Sequence, residues 1–90
     1  MNRRVVVTGI GVISPIGTGL DKYWNNLKNG VNGIDMISYF DASDLDAKIA
    51  AEVKDFDPLQ YVTKKELKRM DKFTHFAIGS ALMALEDSKI

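Results

Sequence analysis

The sequence predicts an α/β fold, and three features predict it. Residues 5–13 are a nearly continuous apolar, β-branched run of the kind that forms a strand covered on both faces of a sheet. Residues 19–29 and 72–89 carry apolar side chains at helical spacing. Between those two stretches lie short segments rich in Asp, Asn, Gly and Ser, the composition of turns that link alternating elements.

Taken in order, the first strand runs through Val5, Val6, Val7, Ile10, Val12 and Ile13 and is ended by Pro15 and Gly17. Thr18 and Asp21 then form a Thr-x-x-Asp pattern, in which a hydroxyl accepts from a first-turn amide and a carboxylate suits the positive helix end. The helix over about 19–29 places Leu20, Tyr23, Trp24 and Leu27 on one stripe, and Gly30 supplies a left-handed stop. Residues 31–46 are expected to be mostly loop, anchored by Ile34, Ile37, Tyr39 and Phe40, and a strand follows near 48–53. Pro58 suits the first turn of a short helix, and Thr63 caps another over 64–70. Asp71 marks a bend before the last helix. There Ala77, Ala81, Ala84 and Ser88 make a narrow line open to close backbone approach, and Ile78, Leu82 and Leu85 widen it into a broad apolar face. That face exceeds what the rest of the chain covers, so it is expected to meet a sheet that these residues do not supply.

Composition excludes several classes of function. At 46% hydrophobic and 27% charged, the 90 residues belong to a packed segment and not to a disordered one. Such a short chain folding alone would bury only about 60–65% of its unfolded surface, a narrow margin over conformational entropy. Twelve basic residues balance twelve acidic ones, which argues against a general nucleic-acid or membrane-surface protein. No stretch approaches the roughly 20 apolar residues that span a bilayer, and Gly9, Gly11 and Pro15 interrupt the run that might pass for a secretory signal, so a cytoplasmic location is expected. The sequence contains no cysteine, hence no disulfide, thiolate metal site or thiol nucleophile.

The balanced total hides two patches. Residues 35–57 hold seven acids against Lys48 and Lys54, and residues 64–72 hold Lys64, Lys65, Lys68, Arg69 and Lys72 against Glu66 and Asp71. The acidic run lacks the glycine and terminal glutamate of a calcium loop and is a solvated turn region, so no metal is expected. Thr8-Gly9-Ile10-Gly11 suggests a dinucleotide fingerprint, but Ser14 stands where its third glycine belongs and Pro15 interrupts the turn. A structural use of the glycines, for close backbone packing, is preferred, and no cofactor is expected. His75 is the only histidine, expected at the surface or partly packed, without a nucleophile or orienting partner that would make it a general base. The basic side formed by Lys64, Lys65, Lys68 and Arg69 is the best candidate for contact with another molecule, because like charges so close repel by a few tenths of a kcal/mol per pair unless something anionic is met.

Residues 3–17, Trp24 with Leu27 and Gly30, Gly33-Ile34, Phe40-Asp41, Lys54-Asp55-Phe56, and Arg69-Met70-Asp71 with Phe73 form an ordered set along the whole chain. This set resembles the β-ketoacyl-acyl carrier protein synthases of the elongating, synthase II type. The resemblance implies a thiolase-like fold of duplicated halves layered αβαβα, of which residues 1–90 would be an incomplete N-terminal part with no internal boundary, in a protein that is usually a homodimer. It implies a decarboxylative Claisen condensation on malonyl-acyl carrier protein, carried out with a cysteine and two histidines that have no counterparts here, so the 90 residues alone are expected to be inactive. It also implies that Lys65, Lys68 and Arg69 form the docking site for the acidic acyl carrier protein. A competing reading is a non-catalytic relative of chain-length-factor type, or a carrier-protein interaction module, which keeps this surface without the nucleophile.

Overall fold

The computed structural model describes residues 2–90, which form two compact units: Ile13–Phe56, and the residues up to Val12 together with Asp57–Ile90. The first unit opens with a small hairpin in which β1 (Ile13–Ser14) pairs antiparallel with β2 (Gly17–Thr18). Ser14 Oγ donates to the Gly17 carbonyl at 2.8 Å across it. Helix α1 (Leu20–Lys28) follows as expected, and its end is a Schellman motif: the Val31 amide donates to the Asn26 carbonyl at 3.0 Å and the Gly30 amide to Leu27 at 3.2 Å, with Gly30 at φ 68°. The expected start is corrected. Gly19, at φ 96°, occupies the N-cap with no side-chain cap bond, and Thr18 is drawn elsewhere. Its hydroxyl donates to Asp55 Oδ1 at 2.7 Å and its amide to Asp55 Oδ2 at 3.2 Å, while Lys22 Nζ lies 2.5 Å from the same carboxylate. A full charge from 37 residues away outcompetes the weaker local cap.

The stretch expected to be mostly loop contains a strand. β3 (Ile34–Met36) pairs antiparallel with β4 (Ile49–Ala51) in the register Ile34↔Ala51, Asp35↔Ala50 and Met36↔Ile49. Glu52, just beyond β4, is buried and ties the far side of the hairpin: it accepts from the Ser38 amide at 3.0 Å, the Ser38 hydroxyl at 2.8 Å and the Tyr39 amide at 3.2 Å. Burial alone would push its carboxyl up, but these hydrogen bonds, with the charge of Lys54, outweigh burial and hold it below the usual glutamate range. A group lowered in the folded state adds stability that is present above its unfolded pKa, about 4.3, and is lost as pH falls through the folded value. The Ser38 and Tyr39 amide resonances should therefore titrate with a midpoint below that of a free glutamate side chain. A midpoint at or above the free value would refute this account of the hairpin.

In the second unit, the expected strand over 5–13 is corrected. Residues 3–12 take no regular secondary structure, and Val5, Val6 and Val7 are 92%, 69% and 79% exposed. A strand needs a neighbour to take its backbone hydrogen bonds, and no described strand pairs with residues 3–12; only Ile13 enters a strand, β1. Farther along, Asp57 accepts from the Leu59 amide at 3.0 Å and starts a 3-10 turn, Pro58–Gln60. α2 (Lys64–Leu67) is shorter than the 64–70 expected, and α3 (Lys72–Ser88) matches the predicted last helix, with Lys89 closing it in the left-handed region. The apolar face of α3 is largely open: Leu82 is 41% and Leu85 53% exposed. Of the described apolar residues only Ala42 in one unit and Val62 in the other are buried.

Candidate functional site

α2 is set by its first turn. Thr63 and Glu66 form a reciprocal capping box: the Glu66 amide donates to Thr63 Oγ1 at 3.1 Å, and the Thr63 amide donates to Glu66 Oε1 at 3.3 Å. This bond turns the one carboxylate of the helix back toward its N-terminus, away from the cations that follow. Val62 beneath is buried, and Leu67 and Met70 are half-buried, which fixes the inward side. Lys64, Lys65, Lys68 and Arg69 all stand exposed. Among the described residues Lys22 pairs with Asp55 and Lys54 with Asp35, and these four cations form no ion pair with another described residue. Lys65 lies on α2, Lys68 is its C-cap and Arg69 follows in the turn, and all three are exposed. Chemically, a row of exposed cations favours contact with an anionic group. It carries no group placed to attack or to move a proton.

Of the two settings expected for His75, at the surface or partly packed, the structure takes the packed one. The residue is 9% exposed, and its Nε2 donates to the Leu67 carbonyl at 3.3 Å, at the end of α2. The signal was present in the sequence, since His75 shares a helical stripe with Ile78, Gly79 and Leu82.

The glycines of residues 8–11 face α3. A Cβ on Gly9 would lie 2.3 Å from the Ala84 carbonyl oxygen, and one on Gly11 1.9 Å from that of Ser80. The Ile10 amide donates to the Asp87 carboxylate at 3.0 Å. The space a pyrophosphate would need is filled by a helix backbone, and an amide that would greet it already serves an anion. This is the close packing the sequence suggested, against the small-residue line of α3. In the acidic run Asp41 accepts from the Ser43 amide, which lowers its pKa, and the described residues hold no group of three or more His, Cys, Asp or Glu arranged to bind a metal ion. An open cavity of about 370 Å³ beside it is lined by Met36, Ile37, Phe40, Asp41, Ala42, Ser43 and Lys48. Its lysine donates to the Leu45 carbonyl at 2.8 Å.

The family model described as the β-ketoacyl synthase N-terminal domain matches residues 2–90. This chain belongs to the β-ketoacyl synthase family. Within the family it is 51% identical over 88 residues to a 3-oxoacyl-[acyl-carrier-protein] synthase 2 of Synechocystis sp., covering 98% of this chain and 21% of that protein. It is 43% identical over 89 residues to a protein of the same name from Staphylococcus aureus, covering 99% of this chain and 22% of the relative. A solved structure titled the ishigamide ketosynthase/chain length factor superposes with a TM-score of 0.90 at 38% identity, over 100% of this chain and 22% of that one. The chain thus spans about a fifth of the length of these relatives and takes the N-terminal part of the thiolase-like α/β fold. No helix among the described residues is long and apolar enough to cross a membrane.

Proposed function

We propose that these residues form the N-terminal segment of an elongating condensing enzyme, and that their own contribution is to receive an acyl carrier protein on Lys65, Lys68 and Arg69. The reaction of the whole protein would move an acyl group from its carrier to a cysteine thiolate. Malonyl-carrier protein would then lose carbon dioxide, and the resulting carbanion would attack the thioester, expelling the thiolate and leaving a 3-oxoacyl-carrier protein. The 90 residues perform neither step, since they hold no cysteine and their one histidine is buried against Leu67. A cytoplasmic homodimer is the assembly we propose for the whole protein. The observation that carries the docking role is the row of exposed cations on a capped turn, with no ion pair to another described residue.

Reversing two of these cations, as K65E with K68E in the full-length protein carrying these residues, should weaken carrier-protein binding about ten- to hundredfold at low salt. The loss should shrink as salt brings the screening length to about 8–10 Å. Equal affinity and equal salt slope in the two proteins would reduce the patch to a solvated helix face. The solved neighbour's title, which names a chain length factor beside a ketosynthase, supports a second reading as a non-catalytic relative. The full-length protein separates the two: release of carbon dioxide with 3-oxoacyl product marks the synthase, and carrier binding without either marks the non-catalytic subunit.

A further inference from the structure

We infer that His75 is a positioning residue for the basic surface, fixing the C-terminal end of α2 so that Lys65, Lys68 and Arg69 meet the carrier protein in one orientation; the inference rests on the docking role proposed above.

α2 has four residues, too few to hold its own shape by internal hydrogen bonds, since a helix leaves four amides and four carbonyls unpaired at its ends. Its geometry therefore depends on anchors. The capping box supplies one at the N-terminal end. At the other end the Leu67 carbonyl accepts from the Met70 amide at 3.4 Å and from His75 Nε2 at 3.3 Å. The Leu67 carbonyl is followed directly by Lys68 and Arg69, so its tether sets the direction in which both stems leave the turn.

The tether is itself held. The His75 amide donates to the Asp71 carbonyl at 3.2 Å in the first turn of α3, a helix of 17 residues, and the side chain is buried. A polar ring taken out of water needs a partner, and its Nε2 finds one on the turn that presents the cations. The ring meets the turn through the Nε2–H it donates to the Leu67 carbonyl, so it acts on the shape of the patch.

Two substitutions in the full-length protein carrying these residues separate shape from donation. H75F keeps an aromatic ring of similar size without a donor, and H75Q keeps an amide donor without the ring. For carrier protein binding, H75F should raise the dissociation constant about threefold to tenfold, the range expected for one lost hydrogen bond, and H75Q should stay nearer the wild type. The slope of affinity against salt should be unchanged in H75F, because the cations are all present, whereas K65E with K68E lowers that slope. Amide exchange over residues 67–70 should speed up in H75F and not in H75Q. Normal affinity in H75F beside a weakened K65E/K68E variant would overturn the positioning role and leave the docking surface standing. Equal losses in H75F and H75Q would assign the effect to ring packing and overturn it too. An unaffected K65E/K68E variant would remove the docking surface and this inference with it. If H75F does not fold, H75L with the same exchange readout takes its place.

Discussion

Dilute and monomeric, the 90-residue polypeptide is expected to give no sharp cooperative melt and to bind a hydrophobic dye strongly. Among the described residues no side chain falls below 2% exposure, and each unit buries a single apolar residue, Ala42 or Val62. A fully buried large aliphatic or aromatic side chain contributes about 1.5–3 kcal/mol, and ordering each residue's backbone costs about 1–2 kcal/mol. Leu20, Trp24 and Leu27 on α1, and Phe73, Leu82 and Leu85 on α3, are between 37% and 72% exposed, so the residues that would offset that cost give only part of their transfer free energy. The bare Val5–Val7 run adds an unpaired edge of the kind that recruits other chains. Calorimetry with circular dichroism in the near and far ultraviolet checks this. Coincident, sharp transitions at two concentrations, with a monomer mass throughout, would show that the segment folds by itself.

The same physics marks what was legible in the sequence. Local signals survived: Gly30 ends α1, Thr63 caps α2, and α3 keeps nearly its expected bounds, because each depends on residues within one or two turns. The exposure of the candidate patch was legible for a similar reason, since Lys65, Lys68 and Arg69 follow one another on a turn where Leu67 and Met70 are the half-buried residues. Long-range terms were not visible. Thr18 leaves its cap for an aspartate 37 residues away. β3 has three residues, too few for an alternation to stand out between Asn32-Gly33 and Ser38, and it exists through pairing with β4. Residues 5–12 have strand composition, yet composition supplies no neighbouring strand for them. Gly9 and Gly11 show the opposite case, where a local feature proved informative because glycine is the side chain that lets two backbones touch.

That contact sets the largest expected effect of a single substitution. In the full-length protein carrying these residues, G11A should cost about 3 kcal/mol or more, or yield no soluble protein, since ordinary overpacking already costs about 1–3 kcal/mol. The added methyl group would sit 1.9 Å from the Ser80 carbonyl oxygen, 2.7 Å from its carbon and 3.0 Å from the Ala84 nitrogen. All three are backbone atoms of α3, so no rotamer change relieves the clash, and S80G should not rescue it. Gly11 is not among the residues with positive φ, so the cost is one of space and not of backbone conformation. G30A provides the contrast: nothing lies within 4 Å of its Cβ position, and its φ of 68° should cost only about 1 kcal/mol. G9A should resemble G11A, with its methyl group 2.3 Å from the Ala84 oxygen and 2.7 Å from the Ser88 nitrogen. Denaturant unfolding of G11A, G9A and G30A orders them, and a G11A protein within about 0.5 kcal/mol of wild type would mean that residues 9–11 do not rest on the last helix in solution.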